Sequence, residues 1–483
     1  MTEIGSLINK KPRSLKRILY MKRLIYFILL SISVMDSFAQ QAAVRQIDSA
    51  MQLAHQRGIF NGNILVAVKG KVIYERSLGY ADGTKTTPLN LSMKFDIGSI
   101  SKEFNGVAIM LLSERGKLSL DDSLAKFFPE FPAWAKTIKL KQLINYTSGI
   151  PALGPAADST DALVYQSLLK LNALAAQPGT VYIYNHVNVV LQRRIIEKVS
   201  GLSYAEFIRK NLLQPAGMNA SLVDYPVNGF GMAKAFDQAG RPSDYATGVT
   251  GWVRLPVRDL YEWTRALHSG KLISEKSLKL LAESFPGGES SLGTTGYEGD
   301  RLIWHQHQGS NYNHEAAFYT NLPEDITIVM MTNNQQMKVW PLKTTILNIL
   351  HHQPYTVPKK SLYLTIRDRM LDDVNVGLAY YRQLKATGQE RYDFSFEIGD
   401  LISTGKYLQR RNKYDEAIKV LQTAVQLQAR NGDLSYGYEL IGDCYQEKGD
   451  LAQAAASYRK AVELSPENKN AAGRLQAIEK KAK

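Results

Sequence analysis

The sequence predicts an α+β fold, an antiparallel sheet with a helical lobe, followed by an all-helical C-terminal segment. Three observations lead there. Strand-like runs lie near residues 63–74 and again near 302–332, so the sheet is assembled from distant parts of the chain. The stretch between them is mostly helix and loop, punctuated by Gly and Pro. From about residue 361 the pattern becomes helical, and two segments repeat it. At 483 residues the chain exceeds one ordinary core, so two or more domains are expected.

The N-terminus reads as a signal peptide over residues 1–39. Lys22-Arg23 precede an apolar run from Leu24 to Met35, and Ser37-Phe38-Ala39 offers small residues before a cut at Gln40. Met21 is an alternative start, since residues 1–20 add nothing a signal needs. The run is shorter than the ~20 residues of a spanning helix. No cysteine follows the cut, which argues against a lipid anchor; an uncleaved N-terminal anchor is the lesser alternative. A periplasmic or secreted protein is expected. Cys444 is the single cysteine, so no intrachain disulfide can form. The net charge of +14 is partly an end effect, because residues 1–39 carry +5 of it. The remainder is spread, and no nucleic-acid motif accompanies it.

Asn63–Val68 and Val72–Tyr74 flank a Lys69-Gly70-Lys71 turn, a hairpin signal. Residues 99–115 read as a helix, with Phe104, Val107, Ala108, Met110 and Leu111 at helical spacing and Gly116 as its stop. Strands are expected at Leu302–His307, Ala316–Asn321 and Ile326–Thr332, with a helix near Leu342–Leu350. This bounds a first domain at residues 40–356 and a helical domain at 361–483.

In the helical domain Tyr438, Gly442, Tyr445, Ala454, Tyr458, Ala461 and Pro466 fall at tetratricopeptide (TPR) spacings. Leu401, Gly405, Leu408, Ala417, Leu421 and Ala424 match more loosely. The offset from Ala417 to Ala454 is 37 residues, so three extra residues are expected in the turn at Ala429–Leu434. Residues 361–390 are expected to cap the array or form a degenerate repeat. A protein partner is one use of such an array; a structural or dimerising role is another.

The chemistry centres on Gly98-Ser99-Ile100-Ser101-Lys102. A spacing of three puts Ser99 and Lys102 on one helix face. Serine needs a base to become a nucleophile, and a helix N-terminus offers N–H groups to an oxyanion. Ser-x-x-Lys by itself also fits a surface helix start with Ser99 as cap. Its context is more specific: Gly116–Asp122, Tyr146–Pro151, Pro178-Gly179-Thr180 and Leu213–Met218 accompany it. With these stretches, residues 59–335 resemble the serine β-lactamase and penicillin-binding-protein superfamily, in its class C, D,D-peptidase and esterase branch. The resemblance implies a β-lactamase/transpeptidase-like fold.

The branch's second element, Tyr-x-Asn, is matched by Tyr184-Asn185-His186, with histidine in place of the last asparagine. The resemblance makes Tyr184 the phenol that relays the serine proton, and His186 a substrate contact of altered kind. Free tyrosine and lysine titrate near ~10 and ~10.4, so working at neutral pH needs a shift of about three, roughly 4 kcal/mol, a task the two neighbouring groups share as a pair. Which of Lys102 and Tyr184 is the base stays open. The third element is His307-Gln308-Gly309-Ser310 at a strand end. By resemblance the N–H groups of Ser310 and Ser99 form an oxyanion hole, Gly309 lets the strand approach the substrate, and His307 faces the pocket.

His305 and His307 share a strand face and His314 follows, but no third ligand stands at a standard metal spacing, so neither metal nor cofactor is expected. The expected activity is a serine hydrolase acting through an acyl-enzyme on small esters or amides, including D-amino-acid peptides, with β-lactams less favoured because His307 replaces lysine. The alternative is a non-catalytic receptor or TPR scaffold, suggested by His186 and by Arg193 at a position where the family usually has glycine.

Overall fold

The structure is a computed structural model, and it describes residues 40–154, 157, 159–226, 228–243 and 250–481. The signal segment, residues 1–39, therefore lies outside the described residues. Helix α1 (residues 40–56) leads into the hairpin β1 (Gly62–Val68) and β2 (Lys71–Leu78). After the helical lobe, the chain returns as β6 (Thr294–Glu298), β7 (Arg301–Asn311), β8 (His314–Asn321) and β9 (Ile326–Thr332). These six strands form one antiparallel sheet in the order β2-β1-β9-β8-β7-β6.

Period-two alternation explains how this sheet holds two layers. Ile64, Val66, Ile328 and Met330 point to one face, where they meet Ile47 and Met51 of α1 and Leu342 and Ile346 of α6 (Val339–Leu350). Leu65, Ala67, Val329 and Met331 point to the other face, against Phe104, Val107 and Ala108 of α2 (Ser101–Glu114). Both faces are covered, so β9 (Ile326–Thr332) is buried at every residue and mostly apolar, rather than alternating. The lobe beyond α2 contributes α3 (Asp161–Leu169), α4 (His186–Ser200) and α5 (Val257–His268). A small second sheet joins β3 (Phe95–Asp96), β5 (Val253–Leu255) and β4 (Leu222–Val223) just before the start of α2.

Two elements were not expected. Helix α1 begins immediately at the expected signal cut and covers the outer sheet face. Strand β6 is a half-exposed edge with a register irregularity at Gly296/Tyr297, and it lacks the alternation that marks a strand in sequence.

The C-terminal part is a stack of helices: α7 (Leu362–Asp372), α8 (Val374–Thr387), α9 (Glu397–Gln409), α10 (Tyr414–Val425), α11 (Asn431–Glu447), α12 (Leu451–Leu464) and α13 (Lys469–Lys481). Its packing rule repeats. A side chain on Gly405 would strike Leu421, and one on Gly442 would strike Tyr458, both at 2.5 Å. Each small residue on a repeat's first helix receives a large one from its second, which is why the pair recurs 37 residues on. The three extra residues do not swell the turn as expected. Helix α11 starts at Asn431 and so takes Asn431–Leu434 as its first turn, lengthening the helix instead. The α7/α8 pair extends the array, with Leu362, Ile366, Met370 and Tyr381 sharing a core with Leu401 and Leu421.

Candidate active site

Ser99 sits in a single 3-10 turn, Gly98–Ile100, that runs directly into α2. Buried Asp96 holds this turn: its carboxylate accepts the N–H of Gly98 at 2.8 Å and Asn311 Nδ2 at 3.2 Å, and pairs with Arg254 at 3.0 Å. Ser101 Oγ accepts the N–H of Val253 at 3.0 Å, tying α2 to the small sheet. Gly98 has φ +52, and a Cβ there would lie 2.5 Å from Ser310 N; a Cβ on Gly309 would lie 1.9 Å from Ile97 O and 2.6 Å from Ser99 N. Only glycine fits either position. The two residues bring β7 backbone to backbone with the serine turn. The β6–β7 register ends at Thr294↔Gln306, so β7 from His307 onward presents an edge that β6 does not cover.

Three of the expected residues converge on one atom. Lys102 Nζ donates to Ser99 Oγ at 2.8 Å, and the Tyr184 hydroxyl donates to the same oxygen at 2.8 Å. The lysine also lies over the Tyr184 ring, 4.9 Å from its centroid. Lys102 is buried, and burial brings its pKa down to about 8; Arg193 adds to the fall and Glu289 opposes it. Tyr184 moves the other way. It is 42% exposed, yet its phenol is crowded by Lys102 and by the Tyr146 and Tyr182 rings, 5.0 and 6.4 Å away. Loss of solvent there pushes it up to about 12, with Ser99 pulling down and Glu289 pushing up. The two groups of the pair thus move apart: the lysine falls and the tyrosine rises.

His186 is the first residue of α4, stacked on Trp252 with centroids 5.9 Å apart. Burial, then the charges of Arg193 and Lys102, bring it down to about 3, so the ring is neutral. Neighbouring Asn185 does not replace the missing amide. Its oxygen caps α4 at Asn188 N and its Nδ2 donates to Ile150 O at 2.8 Å. Arg193, the other departure, is a buried tie: it pairs with Asp161 at 2.9 Å and donates to Thr250 at 3.1 Å, joining α3, α4 and the segment before β5.

Behind the serine lies a polar cluster that local sequence did not reveal. Glu103 is fully buried. It accepts His307 Nδ1 at 2.7 Å, His305 Nε2 at 3.1 Å and Trp263 Nε1 at 2.7 Å. His305 Nδ1 meets His268 Nε2 at 3.0 Å. The only local hint is the alternation of His305 and His307. Their partner is 200 residues away, beside the lysine. Among the described residues no group of three His, Cys, Asp or Glu side chains is arranged to hold a metal ion.

Residues 42–347 match the family model described as Beta-lactamase. The chain belongs to the beta-lactamase family. The family is one of serine hydrolases, and the fold is the β-lactamase/transpeptidase-like one. A penicillin-binding protein of Bacillus subtilis (strain 168) is 26% identical over 355 residues, spanning 65% of this chain and 78% of its own. Two solved structures share the fold. A class C beta-lactamase is 20% identical with a TM-score of 0.55, covering 65% of this chain and 97% of that one. The D-amino acid amidase of Ochrobactrum anthropi SV3 is 18% identical with a TM-score of 0.54, covering 64% and 98%. Residues 436–468 match a tetratricopeptide repeat model.

Proposed function

We propose that this chain is an exported serine hydrolase that works through an acyl-enzyme on Ser99. The observation that carries the reading is the pair of 2.8 Å hydrogen bonds converging on Ser99 Oγ from Lys102 and Tyr184. With its pKa near 8, Lys102 loses a proton far more readily than Tyr184, so Lys102 is the base of acylation. Ser99 Oγ attacks the carbonyl as Lys102 takes its proton. Tyr184 stays a neutral phenol and hands a proton to the leaving group, recovering one from Lys102. The N–H groups of Ser99 and Ser310 hold the oxyanion, and Gly309 lets the strand edge lie against the substrate. Water then attacks the acyl carbonyl, the bond to Oγ breaks, and the acid leaves.

Small esters and amides fit this site, D-amino-acid peptides among them; the fold neighbour named as a D-amino acid amidase supports the amide side. β-Lactams are less favoured, because His307 and not lysine stands on β7 and its Nδ1 is committed to Glu103. His186 contacts substrate as a neutral ring. Residues 40–356 form the hydrolase unit and 361–483 a helical unit that offers its TPR surface to a protein partner. The test is intact-mass spectrometry after a fluorophosphonate probe, with Ser99→Ala as control. One adduct, lost in the variant, is expected. Absence of an adduct on the folded protein would favour a non-catalytic receptor or scaffold.

A further inference from the structure

We infer that Glu103 is a positioning residue that fixes His307, with Nδ1 turned to its own carboxylate and Nε2 left as the nitrogen that acts on a ligand bound at Ser99. This rests on the acyl-enzyme reading above. The argument starts from the cost of a charge with no solvent. Glu103 is fully buried, which would push its pKa up, but His305 and His307 bring it down to about 2, so it stays ionised. A buried carboxylate persists only when donors satisfy it. Here three N–H groups do: Trp263 Nε1, His305 Nε2 and His307 Nδ1. His305 Nε2 also lies 2.7 Å from Leu292 O, and both of its neighbours are acceptors, so this nitrogen carries the proton. The same logic gives His307 its proton on Nδ1.

The ring cannot turn over without presenting carbon to the carboxylate. Stacking of Phe104 on Trp263, with centroids 3.9 Å apart, holds the third donor in place, and His268 backs His305. His307 and Gly309 share the β7 face that meets α2, and a Cβ on Gly309 would lie 2.6 Å from Ser99 N, so the oriented ring stands one strand repeat from the nucleophile's backbone. Glu103 follows Lys102 directly. One helix turn thus carries the base on one side and the anchor of the strand histidine on the other. Glu103 from α2 is hydrogen-bonded to His307, His305 from the same strand shares that carboxylate, and His268 from α5 meets His305.

The test compares wild type with Glu103→Gln, following ester turnover, fluorophosphonate labelling of Ser99 and the nitrogen NMR signals of the His307 ring. Glutamine keeps the shape and removes the charge. The expected result is labelling retained, kcat/KM lower by about 10²-fold, and loss of the single Nδ1–H form of the His307 ring that the carboxylate fixes in wild type. A loss of rate with the His307 ring signals unchanged would reduce Glu103 to a structural residue and overturn the inference. Should Glu103→Gln not fold, His307→Asn carries the test: kcat/KM should fall by about 10²-fold with Ser99 still labelled, and an unchanged rate would overturn the inference. Failure of wild type to label would instead count against the acyl-enzyme reading.

Discussion

Helix α2 has two polar sides that obey opposite rules. On the open side, Lys102 is stripped of solvent, has no carboxylate hydrogen-bonded to it among the described residues, and sits over a tyrosine ring. On the closed side, Glu103 is just as buried but receives three N–H donors. Both residues are ionisable, adjacent in sequence and out of water. The lysine is left under-satisfied, which makes it a better base; the glutamate is saturated, which makes it rigid. Reactivity and rigidity are therefore set by partners rather than by burial.

This contrast is broken most sharply at the serine. Ser99→Ala should lower turnover by about 10⁴-fold or more while leaving the melting temperature close to wild type, measured by ester hydrolysis and calorimetry. Tyr184→Phe removes one of the two hydroxyl-side bonds and should cost about 10²–10⁴-fold in kcat, with Ser99 still labelled slowly. On the closed side stability should fall along with the rate. Glu103→Ala strands three buried donors, two of them on histidines, and should destabilise by about 3–5 kcal/mol in denaturant melts. A Glu103→Ala protein as stable as wild type would erase the difference between the two sides.

Protonation offers a finer test. With neutral Lys102 as the proposed base, the rate should rise with pH through about 8. Stability follows with a definite sign. The lysine titrates lower in the folded chain than in the unfolded one, so the unfolded chain holds more protons between about 8 and about 10.4, and stability should rise with pH across that window. Lys102→Met should abolish turnover and flatten both dependences. The smallest effect is expected from cutting the chain after residue 356. The apolar clusters of residues 43–349 and 362–471 share no member, so the shortened protein should stay soluble and keep its esterase rate. Aggregation would reveal that the two parts depend on each other.

Much of this site could be read from the sequence because its key pieces are short and ordered. Ser99 and Lys102 are fixed by one helical turn, and the hairpin and the late strands carry clear periodicity. Tyr184 was placed by resemblance, and geometry brings it to the same oxygen. The direction of its pKa was not legible, since it depends on Tyr146 and Tyr182 arriving from neighbouring turns. Glu103 was invisible for the same reason. Its partners come from β7 and α5, and no local pattern links residues 103, 263, 305 and 307. Helix α1 does have a sequence signal, since Ala43, Ile47, Ala50, Met51 and Ala54 fall at helical spacing just past the expected cut. Arg193 looked like damage to a motif, and is a buried tie with Asp161 as its partner.

The meeting of Gly98 with Ser310 also sets a timetable. The serine turn belongs to the first quarter of the chain, whereas the strand that completes it comes about 210 residues later, in a sheet whose first strand must pair with its last in sequence. A chain emerging from synthesis carries Ser99 and Lys102 long before it carries Ser310, and it has no finished place for an oxyanion until β7 docks. On the proposed mechanism, order of assembly thus acts as a safety catch, keeping the nascent chain inert until β7 docks.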